Sequence, residues 1–162
     1  MFTNVLSLVL LIMDKINVAI GSDHAGFELK EFIINNLGET INFEDFGTDS
    51  KESCDFPDFA ASVSEFIVNN NNYKGILICG TGVGMSIAAN KFEGIRAANV
   101  TDIRTGIQSV EHNNANILCL GSNNVTKDLA IEIINNFFSS SLVGEKKYVR
   151  RIDKLNKLGD TS

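Results

Sequence analysis

Short apolar runs alternate along this chain with longer stretches in which apolar residues recur at three- and four-residue intervals. Ile16–Ile20 (INVAI) is a run of the first kind, closed by Gly21, and reads as a buried strand. From Phe27 to Leu37 the residues Leu29, Phe32, Ile33 and Leu37 fall on one helical face, and Gly38 follows as a stop. Ile41–Phe46 is a weaker second strand. Pro57 sits where a first helical turn tolerates it, and Phe59, Val63, Phe66 and Ile67 then repeat at helical spacing. Asn69–Asn72 is a polar turn. Gly75–Cys79 (GILIC) is the cleanest buried strand; Gly80–Gly84 is a glycine turn and Met85–Phe92 a helix. Arg96–Val100 predicts a fourth strand, Ile103–Glu111 a helix leading to His112, and Asn116–Leu120 a fifth strand closed by Gly121. Val125–Phe138 predicts a helix with Ala130, Ile133, Ile134 and Phe137 on one side. A basic amphipathic helix near Tyr148–Leu158 ends the pattern.

Strands separated by helices imply right-handed crossovers and a parallel sheet covered on both faces. The expected fold is α/β: a three-layer α/β/α Rossmann-like sandwich with a five-stranded parallel sheet, one domain over residues 13–162. No internal repeat or long linker interrupts it. Ligands of such sheets bind beyond the carboxyl ends of the strands. The loops that matter are therefore Gly21–Gly26, Gly47–Pro57, Cys79–Gly84, Val100–Arg104 and Gly121–Thr126. Residues 1–12 (MFTNVLSLVLLI) stand apart from this pattern. Their apolar run is too short to span a bilayer and lacks the basic flank and cleavage site of a secretory signal. They read as an upstream extension before a start at Met13, or as a disordered tail.

Composition narrows the partners. The chain has 162 residues, the length of about one domain, with 44% hydrophobic and 21% charged residues, which excludes general disorder. A net charge of −6 argues against nucleic acid as the main partner, because phosphate neutralisation needs a basic surface. A small anionic ligand needs only a local cation cluster and stays open. The three cysteines, Cys54, Cys79 and Cys119, include no CxxC, so neither a disulfide framework nor a zinc site is expected, and a reducing cytoplasm fits best.

The strand-end loops hold the candidate chemistry. Gly21-Ser22-Asp23-His24-Ala25-Gly26 sets an acid beside a histidine at the mouth of a strand, ahead of a helix whose first amides suit an anion. A cap with a bystander histidine explains the same residues. Cys79-Gly80-Thr81-Gly82-Val83-Gly84 lacks the Lys-Ser/Thr of a phosphate-binding P-loop and the spacing of a dinucleotide fingerprint. It does aim a thiol at the start of the next helix, and its glycines leave backbone N–H groups open to a developing oxyanion. A buried structural cysteine is the alternative, and Cys54 and Cys119 are assigned to that class outright. His112-Asn113-Asn114-Ala115-Asn116 carries the second of two histidines, a residue suited to acid–base work or simply a solvated helix end. The run Lys146, Lys147, Arg150, Arg151, Lys154 and Lys157 is mostly a solvated face, with one or two members able to reach a phosphate.

Together the segments GSDHAGFELK, DFPDFA, GILICGTGVGMSIAANKFEGIRAA, HNNANILCLGS and RRIDKL resemble the type B ribose-5-phosphate isomerases and their galactose-6-phosphate relatives, in order and with matching spacing from about Lys15 to Leu158. The resemblance implies interconversion of ribose 5-phosphate and ribulose 5-phosphate, a step of the pentose phosphate pathway, without metal or organic cofactor. It implies that His112 protonates the ring oxygen and that Cys79 removes the proton beside the aldehyde. The amides of Gly80, Gly82, Val83 and Gly84 would hold the enediolate while Thr81 helps move protons between its oxygens. Asp23 and Asn113 would hold sugar hydroxyls or the enediolate; His24 and Arg151 would bind phosphate. It further implies a homodimer whose pocket lies between subunits, with the His112 side from the neighbour, and pairing into tetramers as an extension.

Three positions depart from that family's usual residues. Asn123 and Lys147 stand where arginines are frequent at the phosphate, and Phe56 stands in place of a frequent tyrosine. Losing a guanidinium costs on the order of 1–3 kcal/mol per charged hydrogen bond, which bears on affinity more than on reaction type. Met85 occupies the position of a glutamate base in some relatives and leaves Cys79 without a competitor. A hexose 6-phosphate isomerase (galactose or allose) and a non-catalytic sugar-phosphate sensor are the rival expectations.

Overall fold

The central apolar runs pair as strands buried on both faces, while the two edge strands are partly exposed. A computed structural model of the protein describes residues 15–158; the readings made for residues 1–12 and for a start at Met13 lie outside the described residues. Five strands form one parallel sheet: β1 (Ile16–Ser22), β2 (Ile41–Asp45), β3 (Tyr73–Cys79), β4 (Ala97–Asn99) and β5 (Ile117–Gly121), in the order β2-β1-β3-β5-β4. Every pairing is parallel, with Ile20 opposite Ile76 and Cys79 opposite Gly121. Six helices cover it: α1 (Phe27–Leu37), α2 (Phe56–Asn69), α3 (Val83–Ala89), α4 (Ile103–Asn113), α5 (Lys127–Ser139) and α6 (Lys146–Leu155).

The two-residue period of the strands divides the core. Val18, Ile20, Ile76, Ile78, Leu118 and Leu120 pack against α1, α4 and α5 on one face. Ala19, Leu77, Cys79, Ile117 and Cys119 pack against α2 and α3 on the other. The three-layer α/β/α sandwich expected from the alternation of elements is the fold observed.

Boundaries differ where local chemistry overrides periodicity. The helix expected at Met85–Phe92 is α3, which starts two residues earlier because Gly82 turns the backbone with φ +75° directly before it. It stops at Ala89, where the Asn90 carboxamide bonds Ser86 and both backbone groups of Ala97. The fifth helix starts at Lys127 because the Thr126 hydroxyl caps it, accepting from the Leu129 N–H at 3.2 Å. The last helix spans Lys146–Leu155 in place of the expected Tyr148–Leu158.

On α1 the buried set is Leu29, Lys30, Ile33 and Leu37, with Phe32 only half-buried. Lys30, which the apolar spacing does not mark, belongs to the buried set and is 2% exposed. Its ammonium is held by Asp45 at the end of β2 and by Glu31 at 2.8 Å. Burial opposes the charge, but the hydrogen bonds that the ammonium donates to Asp45 and Glu31 more than offset it, and the ammonium titrates above its ordinary range. Its contribution is thus complete below the usual lysine value of about 10.4 and is lost only as pH rises past the elevated one. Asp45→Ala leaves that buried cation with a single partner and should destabilise the fold by about 1–3 kcal/mol in urea unfolding at pH 7. An unchanged midpoint would show that Glu31 alone satisfies it.

Candidate active site

Three strand-end loops are laced together by backbone hydrogen bonds at the carboxyl edge of the sheet. The Asp23 N–H donates to the Ile78 carbonyl at 3.2 Å, the Ser122 N–H to Cys79 at 2.9 Å and the Asn123 N–H to Gly80 at 3.0 Å. The Ser122 hydroxyl adds a bond to the Ala25 carbonyl at 2.8 Å. Close approach makes this possible: a side chain on Gly121 would lie 2.6 Å from the Thr81 backbone. Asp23, His24, Cys79, Gly80, Thr81, Gly82, Val83, Gly84 and Asn123 therefore share one edge.

Cys79 is the last residue of the central strand β3 and is 5% exposed. The Gly82 N–H donates to its sulfur at 3.1 Å, so the turn that follows the strand folds back to place an amide dipole on the thiol. Gly82 can do this because it is left-handed and has no Cβ; a side chain there would sit 2.3 Å from the Asn99 Oδ1. The carboxamides of Asn99 and Asn124 both donate to the Thr81 carbonyl at 3.3 Å and brace the same turn. Thr81 itself is exposed, its hydroxyl accepting from the Val83 N–H at 3.4 Å. Phe56 lies against Gly84, and Met85 is wholly buried.

The neighbouring loop presents Asp23 and His24. Asp23 Oδ1 accepts from the amides of Ala25 and Gly26, both at 3.0 Å, so one carboxylate oxygen shapes the loop. The Cys54 N–H donates to His24 Nδ1 at 3.2 Å, which assigns the ring proton of a neutral His24 to Nε2. The Cys54 sulfur lies 3.8 Å from the same nitrogen. Cys54, read from the sequence as purely structural, is thus the neighbour that orients His24. No local spacing signals this contact, because the partners are thirty residues apart. Cys119 fits its structural assignment: it is wholly buried, and burial, with Cys79 nearby, pushes its thiol well above the usual range.

His112 and Asn113 lie elsewhere. They end α4, and β5 begins at Ile117. A helix that leaves the carboxyl edge of a parallel sheet ends at the amino edge. At about 3.3 Å per residue, β5 puts roughly 13 Å of sheet between its start and Gly121 opposite Cys79. At the amino edge the His112 ring stacks on Tyr148, with centroids 4.3 Å apart and planes 5° from parallel. The same phenol ring lies 4.7 Å from the Lys147 Nζ and 6.0 Å from the Arg151 guanidinium carbon. Lys147 is ion-paired with Glu145 at 2.8 Å, and its hydrogen bond with that carboxylate raises its pKa. So His112, Asn113, Lys147 and Arg151 form a second group, which one chain does not join to the Cys79 group. Asn114 and Asn116, in the same asparagine-rich stretch, serve the fold: Asn114 caps α4 in a left-handed turn, and Asn116 ties Arg96 and Gly94. Among the described residues no three His, Cys, Asp or Glu side chains gather as a metal site requires.

Fold and site together define a doubly wound α/β protein that presents a thiol, an imidazole and a glycine turn at its strand ends. Residues 18–155 match the family described as ribose/galactose isomerase. The probable ribose-5-phosphate isomerase B of Mycoplasma genitalium is 41% identical over 142 residues, which covers 86% of this chain and 93% of that protein. The crystal structure of a ribose 5-phosphate isomerase from Thermotoga maritima superposes with a TM-score of 0.85 at 45% identity, covering 90% of this chain and 100% of that one. The Mycoplasma genitalium ribose-5-phosphate isomerase B with bound ribulose-5-phosphate gives 0.84 at 39%, covering 90% and 97%. This chain belongs to the ribose/galactose isomerase family.

Two glycines with positive φ separate backbone strain from the clash at the turn. Gly94→Ala, at φ +80° with nothing within 4 Å of the added carbon, should cost about 1 kcal/mol. Gly82→Ala adds the collision with Asn99 and should cost about 1–3 kcal/mol more by urea unfolding. Equal losses would mean that the turn yields freely.

Proposed function

We propose that the protein interconverts D-ribose 5-phosphate and D-ribulose 5-phosphate, in a site completed by two copies of the chain. The observation that carries this reading is the Cys79 sulfur at the end of β3, held by the Gly82 amide within a glycine turn. Such a sulfur suits proton removal, and such a turn suits the charge that removal creates.

The steps follow from the groups present. His112 of one chain gives a proton to the furanose ring oxygen as its bond to C1 breaks, and the anomeric hydroxyl releases its proton to water. The Cys79 thiolate of the other chain takes the C2 proton. The electron pair moves into an enediolate whose oxygens face the Gly80, Gly82, Val83 and Gly84 backbone. Thr81 passes a proton between O1 and O2, and Cys79 returns its proton to C1. His24, whose Nδ1 is occupied by the Cys54 amide, offers Nε2–H to the phosphate. Arg151 and Lys147 add positive charge from the chain that supplies His112, Asn123 borders Gly80 at the site, and Asp23 Oδ2 and Asn113 hold hydroxyls.

A homodimer is supported by the separation of the two groups along the sheet, with pairing into tetramers as the extension of the same reading. A cytoplasmic setting is supported by three unpaired cysteines. Among the described residues no helix is long and apolar enough to cross a membrane.

Cys79→Ala should lower conversion of ribose 5-phosphate by about 10²–10⁴-fold while leaving its binding measurable by calorimetry. Wild-type protein that binds ribose 5-phosphate without exchanging its C2 proton with solvent would instead be a sensor. Faster turnover of galactose or allose 6-phosphate would assign a hexose substrate. Glu145→Gln releases Lys147 from its ion pair and should lower KM for ribose 5-phosphate by about twofold, an effect that fades with added salt. A higher KM would show that Glu145 positions Lys147 and does not compete with the phosphate.

A further inference from the structure

We propose that Tyr148 is a positioning residue for ring opening: its phenol ring sets the plane of the His112 imidazole. The inference rests on the isomerase reading above and adds a residue to it. His112 lies in the last turn of α4, half-buried, and its ring lies against that of Tyr148 over a 4.3 Å centroid separation with planes 5° apart. A parallel stack resists tipping of the imidazole, so it holds the plane in which both ring nitrogens lie. A proton donor gains from that restraint, because the donated proton must lie in the ring plane.

The ring is itself held. Tyr148 belongs to α6, which docks through buried Ile152, and the Val143 N–H just before the helix donates to the Glu111 carbonyl at 3.0 Å, one residue from His112. The same phenol ring faces the ammonium of Lys147 and the guanidinium of Arg151. One aromatic ring therefore spaces the acid from the two cations assigned to the phosphate. The substrate demands such spacing: in a furanose 5-phosphate only C4 and C5 separate the ring oxygen from the phosphate ester oxygen. During ring opening the oxygen accepts the proton of His112, the C1–oxygen bond breaks, and the anomeric hydroxyl yields its proton to water.

The test separates ring opening from the later proton transfer. Ribulose 5-phosphate cannot close a furanose, because its O5 carries the phosphate, so exchange of its C1 proton in D2O requires Cys79 but no ring opening. In the full-length protein Tyr148→Leu should reduce kcat for ribose 5-phosphate by roughly tenfold or more, with C1 exchange on ribulose 5-phosphate within about twofold of wild type. Tyr148→Phe, which keeps the stack, should restore kcat. Tyr148→Met replaces the leucine variant if that one does not fold, as read from circular dichroism. The proposal is overturned if the non-aromatic variant matches wild type on both substrates, if it loses both activities equally, or if Tyr148→Phe fails to restore kcat. Wild-type protein that neither converts ribose 5-phosphate nor exchanges the ribulose 5-phosphate proton would remove the isomerase reading itself, and this proposal with it.

Discussion

Each crossover of a parallel sheet carries the chain from the carboxyl edge back to the amino edge, and the placement of every candidate group follows from that requirement. Loops after β1, β3 and β5 meet at one edge, where backbone bonds bring Asp23, His24, Cys79 and Asn123 into one neighbourhood. The end of α4 and the start of α6 meet at the other, where His112 stacks on Tyr148. A chemistry that needs the thiol and the second imidazole together needs two chains. The proposed shared site thus has a topological reason.

The carboxyl edge depends in turn on glycines that admit backbone where side chains would collide. Gly121 lets the Thr81 backbone pass over β5, and Gly82 turns back to the Cys79 sulfur beneath Asn99. These contacts make the turn a fixed array of dipoles, organised before any ligand arrives. The amino edge is built differently, from long charged side chains and one aromatic ring. There Lys147 is engaged by Glu145, and Tyr148 is shared between an imidazole and two cations. Lys147, where the resemblance places an arginine, thus comes with its own partners in Glu145 and Tyr148.

The sheet and most helices were legible because burial on two faces leaves a plain record: GILIC and the apolar spacing of α5 admit few other readings. The glycine turn was legible for the same reason, since three glycines in five residues after a buried strand need a backbone explanation. Contacts across the fold left no local trace. Lys30 gives no apolar signal, yet it fills a core position on α1 because Asp45 arrives from β2 to meet its charge. Cys54 meets His24 only once two loops are folded together. Tyr148 lies at the edge of a basic helix and meets His112 only where α6 packs against α4. The order β2-β1-β3-β5-β4 likewise depends on pairing, which composition does not encode.

The account turns on catalysis by groups drawn from two chains, and subunit mixing tests it most directly. Cys79→Ala and His112→Ala proteins, each nearly inactive alone, are mixed in equal amounts and allowed to exchange subunits. Random pairing makes half of the dimers mixed, each with one intact site, so activity should return to about a quarter of the wild-type value. Mixed dimers verified by native mass spectrometry that show no recovered turnover would contradict the shared site.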